Sequence, residues 1–128
     1  MSHPNIELIQ RVYSAFMAGD REGVTRILAP DIVWHNSGFD PTAGTYRGVA
    51  EVLGYLMGEN HMEDFALDVV DTLASDERVA LVARSSGRRG DKTIVNDFVQ
   101  VARIADGRVA EVWNYVWDQR GVAAFMSD

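Results

Sequence analysis

The chain has 128 residues, a formal net charge of -7 and no cysteine. That length suits one domain with its own core, and the acidic balance argues against nucleic acid or anionic membrane, whose binding depends on basic residues neutralising phosphate. Without cysteine there is no disulfide, thiolate metal site or cysteine nucleophile. The opening MSHPNIEL lacks the basic and apolar regions of a signal peptide, and no apolar run approaches membrane-spanning length. A cytoplasmic, single-domain chain over residues 1–128 is the expectation.

In chain order, Ile6, Ile9, Val12, Tyr13, Phe16 and Met17 recur at spacings of three and four, one face of an amphipathic helix over residues 5–18. Gly19 ends it, and Asp20 can cap a short second helix whose inner face is Val24, Ile27 and Leu28, closed by Pro30. Asp31–His35 is a β-prone run. The segment Asn36–Arg47, with Gly38, Pro41 and Gly44, reads as a loop. A third helix follows at about Val49–Met57. From Asp64 the period turns to alternation, with Phe65, Leu67 and Val69 on one side, a turn at Ser75–Glu77 and a strand at Val79–Arg84. Arg88–Asp91 then turns into a long hairpin, Lys92–Gln119, reversed at Asp106-Gly107, and the tail from Gly121 makes a turn of helix. Helices first and meandering strands after predict an α+β domain. Three N-terminal helices would pack on one face of a strongly curved antiparallel sheet.

The hairpin carries polar residues where a core strand would be apolar: Asn96, Asp97, Gln100 and Asn114. Buried amides need partners, so these groups face water or line a cavity. Parity distinguishes the cases. If Asn114 points inward, Trp113, Tyr115 and Trp117 point away. A two-residue turn then makes Asp97 a cavity acid, whereas a three-residue turn with a Gly bulge sets Phe98 opposite Asn114 and brings in Asn96 and Gln100.

The order and spacing of AGD after the first helix, LAPDIVWHN, YRGVAEV and DFVQVARIADGRVAEVWNYVWD resemble the nuclear-transport-factor-2-like superfamily, in its branch of SnoaL-like polyketide cyclases and ketosteroid-isomerase-like proteins. The resemblance implies a cone-shaped domain whose curved sheet encloses one apolar pocket, and a homodimer formed through the outer sheet face. It favours the three-residue turn, with Asn96, Phe98 and Gln100 facing in. The family's proton acceptors are absent. Asn36 stands where ketosteroid isomerases place their general base, and Val12 (beside Tyr13) and Gln100 stand at the positions of the oxyanion pair. Asn114 takes the place of the acid used by SnoaL-type cyclases and related epoxide hydrolases.

The resemblance therefore implies a cofactor-independent isomerase, cyclase or dehydratase acting on a small hydrophobic carbonyl compound, polyketide- or steroid-like. A ligand-binding or dimerising module is the alternative. Asn36, Gln100 and Asn114, with Tyr13, would donate to a developing oxyanion, and Asp97, His35 or a held water would be the base. By parity His35 turns outward, however, and Asp97 can simply pair with Arg84, itself a candidate carbonyl anchor. Tyr13, Phe16, Trp34, Tyr55, Asn96 and Phe98 are candidate pocket walls, or core. His61 is a loop or pocket-mouth candidate. No HExxH or comparable spacing suggests a metal.

Overall fold

The computed structural model describes residues 3–57 and 62–127. Helix α1 (Pro4–Met17) begins with proline in its first turn, where a missing N–H costs nothing, and His3 Nδ1 accepts from the Asn5 N–H at 3.1 Å. It stops at Gly19, whose φ of 69° an L side chain resists. The Asp20 carboxylate then caps α2 (Arg21–Ile27) by accepting from the Gly23 N–H at 2.9 Å. Pro30 does not close α2. It lies inside strand β1 (Leu28–Asn36), where the pairing slips between Leu28 and Val33, an irregularity that tolerates a residue without an N–H.

The remaining elements are β2 (Gly44–Arg47), α3 (Gly48–Met57), β3 (Glu63–Ala74), β4 (Arg78–Arg89), β5 (Lys92–Ala105), β6 (Arg108–Val116) and α4 (Gln119–Met126). The six strands form one sheet in the order β2-β1-β6-β5-β4-β3. Three expectations change. The sheet is mixed, because β1 runs parallel to β6. Parallel neighbours need a long crossover, and everything from β2 to β5 supplies it. The segment expected to be all loop contains β2, where Thr45 and Tyr46, both strand formers, sit between Gly44 at φ 129° and Gly48 at φ 82°. The tail makes a fourth helix, capped by Asp118 accepting from the Gly121 N–H, with Lys92 Nζ donating to the Ala124 and Ser127 carbonyls at its far end. Among the described residues no helix is long and apolar enough to cross a membrane.

The β5–β6 reversal decides which side chains face in. It is a two-residue turn, with Asp106 at φ 52° and Gly107 at φ 72° and Ala105 opposite Arg108, rather than a three-residue loop. A bulge follows at once: Ile104 pairs with Val109 but Arg103 pairs with Glu111, so Ala110 is the extra residue. That one residue flips the parity a simple two-residue turn would impose. Gln100 lies opposite Asn114 and Phe98 opposite Val116, while Asp97 goes to the other face. The inner face packs against α1, α2 and α3 through a core that includes Val24, Leu28, Ile32, Val52 and Val112, each at most 2% exposed. Burying each such side chain stabilises the fold by roughly 1.5–3 kcal/mol.

Candidate functional site

Between α1 and the inner face lies a cavity of about 90 Å³. Helix α1 lines it with Ile9, Val12, Tyr13 and Phe16, and the sheet with Trp34, Leu67, Leu81, Phe98, Gln100 and Val112. Helical spacing puts the first set on one stripe, and strand alternation puts the second on one face. Among the described residues of this wall few side chains are polar. The Tyr13 hydroxyl donates to the Leu67 carbonyl at 3.2 Å, and burial, helped by the Asp68 carboxylate, holds it protonated above the usual tyrosine range. The Trp34 ring is 6% exposed, and its buried Nε1–H finds no acceptor among the described residues. The Gln100 amide makes no side-chain hydrogen bond among the described residues.

Beside the cavity, a row of amides crosses three strands, because Gln100 is in register with Asn114 and Asn114 with Asn36. Asn114 Nδ2 donates to Asn36 Oδ1 at 2.9 Å, and Asn36 Nδ2 donates to the Thr42 carbonyl at 2.9 Å. The Tyr46 hydroxyl reaches the same carbonyl at 2.7 Å. The buried Asp40 carboxylate accepts from the Thr42 N–H at 2.8 Å and from its hydroxyl. Tyr55, from α3, stacks on Tyr46 with ring centres 4.7 Å apart and tilts against Trp34 at 6.0 Å. Burial pushes the Tyr55 hydroxyl up to about 12, against the opposing pull of a hydrogen bond with Asn36. Asn114 Oδ1 and Asn96 Oδ1 are buried without a donor. Asn96 sits next to the buried Ser85 on the inner face, outside the cavity wall.

Asp97, Arg84 and His35 lie on the opposite face of the sheet, so none is placed to act in the cavity as base or anchor. Arg84 holds Asp97 with two bonds, Nε to Oδ1 at 2.7 Å and Nη2 to Oδ2 at 3.2 Å. This pairing keeps the Asp97 carboxyl below the usual carboxylate range and the guanidinium above its own. His35 Nε2 lies 2.6 Å from Glu111 Oε2, its Nδ1 lies 3.3 Å from the Thr45 hydroxyl, and its ring stacks on Trp113. His61 is outside the described residues. Asn36, Asn114, Gln100, Trp34, Tyr13, Phe16 and Phe98 are brought together on the inner side, with Tyr55 behind Trp34. Sequence reasoning missed the Asp40–Thr42 support. The signal was there: an Asp whose side chain bonds the backbone two residues on is a common turn device.

Residues 9–112 match the SnoaL-like domain family. An uncharacterised protein of Mycobacterium tuberculosis strain H37Rv is 27% identical over 124 residues, covering 94% of this chain and 95% of its own length. Among solved structures, an NTF2-like protein from Burkholderia xenovorans is 25% identical with a TM-score of 0.86, covering 99% of this chain and 98% of that one. A protein of unknown function with a cystatin-like fold from Xanthomonas campestris is 31% identical with a TM-score of 0.82, covering 96% and 98%.

Proposed function

Because the chain belongs to the SnoaL-like domain family, within the NTF2-like superfamily, we propose that its inner cavity binds one small, uncharged carbonyl compound whose oxygen accepts from Trp34 Nε1–H. The observation that carries this reading is the buried Trp34 N–H, which finds no acceptor among the described residues, on a ring that belongs to a mostly apolar described wall. Such a donor costs roughly 1–3 kcal/mol while unmet, and a carbonyl oxygen meets it. A charged ligand finds no counter-charge among the described residues of this wall and would lose its hydration uncompensated. The cavity volume of about 90 Å³, against roughly 300–1,000 Å³ for drug-sized sites, supports a single-ring molecule over a steroid or a fused polyketide.

Isomerase, cyclase or dehydratase chemistry needs a proton acceptor within hydrogen-bond reach of the ligand. Tyr13 is the one titratable side chain on the described wall, and it is held protonated. The reading is therefore a binding site that polarises a carbonyl without moving protons. Calorimetric titration with cyclohexanone tests it: the protein binds the ketone, Trp34→Phe weakens binding about tenfold, and α-carbon deuterium exchange stays at the solvent rate. Unchanged affinity in the variant contradicts the Trp34 contact, and accelerated exchange contradicts the absence of a base.

We also propose a homodimer through the outer sheet face. Two in-register apolar rows lie there, Ala80–Val101–Trp113 and Val82–Val99–Tyr115, with Tyr115 54% and Trp117 86% exposed. An exposed apolar patch of this kind favours association.

A further inference from the structure

The amides beside the cavity form a chain with a direction. We infer from it that the bound molecule is a hydroxylated ring ketone, its carbonyl oxygen on Trp34 Nε1 and its hydroxyl donating to Gln100 Oε1. This rests on the reading of the cavity as a carbonyl site and adds the second polar end.

The direction is set at the Thr42 carbonyl, which can only accept. Asn36 must therefore turn Nδ2 toward it, at 2.9 Å, and present Oδ1 to Asn114. Asn114 in turn must donate with Nδ2, also at 2.9 Å, which leaves its own Oδ1 buried without a donor. Gln100 is the residue directly across the β5–β6 ladder from Asn114. Facing Cβ atoms in such a pair are about 4.5–5.5 Å apart, and glutamine is one methylene longer than asparagine. The two side chains are not bonded in the structure, and turning the Gln100 amide would bring Nε2 toward Asn114 Oδ1 and close the deficit. Gln100 then presents Oε1, an acceptor, to the cavity it lines.

Among the described residues of the wall, with the Tyr13 O–H already given to Leu67, the Trp34 indole supplies an unmet donor that cannot accept, and Gln100 supplies an acceptor. A neutral molecule with one carbonyl and one hydroxyl answers both. A carboxylate has only acceptors, so it would set an oxygen lone pair against Gln100 Oε1. An unsubstituted ketone leaves Gln100 unmet.

Calorimetric titration with cyclohexanone, 3- and 4-hydroxycyclohexanone and 4-methoxycyclohexanone tests the assignment. At least one hydroxyketone binds about tenfold tighter than cyclohexanone, the methyl ether shows no such gain, and in Gln100→Leu the ratio of hydroxyketone to cyclohexanone affinity falls to about one. Cyclohexanone binding with no gain for either hydroxyketone overturns this inference alone. A gain that survives Gln100→Leu also overturns it. Failure of every ketone to bind overturns the carbonyl reading as well.

Discussion

A tryptophan N–H buried without an acceptor, like that of Trp34 at 6% exposure, sets side-chain chemistry against packing. The indole ring is held by Tyr55 and the core, yet its one polar atom finds no acceptor among the described residues. Trp34→Phe removes that penalty along with some packing. Thermal unfolding should therefore show a loss smaller than the 3–5 kcal/mol typical of deleting a large aromatic. Tyr55 allows a pH test. Unfolded tyrosine titrates near 10, while burial raises the folded group to about 12. Between these values the unfolded state has lost a proton that the folded state keeps, so stability present below pH 10 falls as pH rises toward 12, by on the order of 2–3 kcal/mol for this group. Denaturant titrations at pH 9 and 11.5 should show that loss, and Tyr55→Phe should shrink it; an equal loss in the variant would assign it elsewhere. Asp97 makes the contrasting case. Its exposed pair with Arg84 predicts that Asp97→Asn leaves ketone affinity unchanged and barely alters stability, since water screens such a pair. A larger affinity change would place it back at the site.

At the scale of elements, locally determined features were legible. Asp20 capping α2, Gly19 ending α1 and Asp106-Gly107 reversing the hairpin each depend on a few neighbouring residues. Features set by partners distant in sequence were not. The bulge at Ala110 has no local marker, yet it decides that Gln100 rather than Asp97 faces in. Parallel pairing of β1 with β6 joins segments some 80 residues apart in order, and nothing within Leu28–Asn36 announces it. Of the candidate site, the inward amides and aromatics could be anticipated from parity and resemblance together. That Asp97 stays out of it could not, because its side depends on that single inserted residue. Deleting Ala110 should therefore do more than shorten a strand. It would turn one arm of the hairpin over relative to the other, exposing Val112 and Asn114 or forcing Asp97 inward. The expected result is a loss of cooperative thermal unfolding. A variant that unfolds as sharply as the parent, with intact ketone binding, would show that the bulge does not set the register. At α4, Asp118→Ala should cost about 0.5–2 kcal/mol through the lost cap, readable as a lower denaturation midpoint.

For the whole molecule, the two faces of the sheet divide the work. The inner face and α1 line the cavity, and the outer face sets apolar rows between polar pairs such as Arg84–Asp97 and His35–Glu111. Light scattering should report a dimer, and Tyr115→Glu should shift it to monomer without changing ketone affinity, since the two faces share no side chain. A monomeric parent would remove the dimer proposal and leave the cavity untouched. The most direct test of the central claim is the infrared stretch of a ¹³C-labelled cyclohexanone carbonyl in the bound state. A hydrogen bond from Trp34 Nε1 should shift it to lower frequency than in an apolar solvent, with the shift lost in Trp34→Phe. A bound carbonyl that absorbs at the same frequency in both proteins would contradict the account.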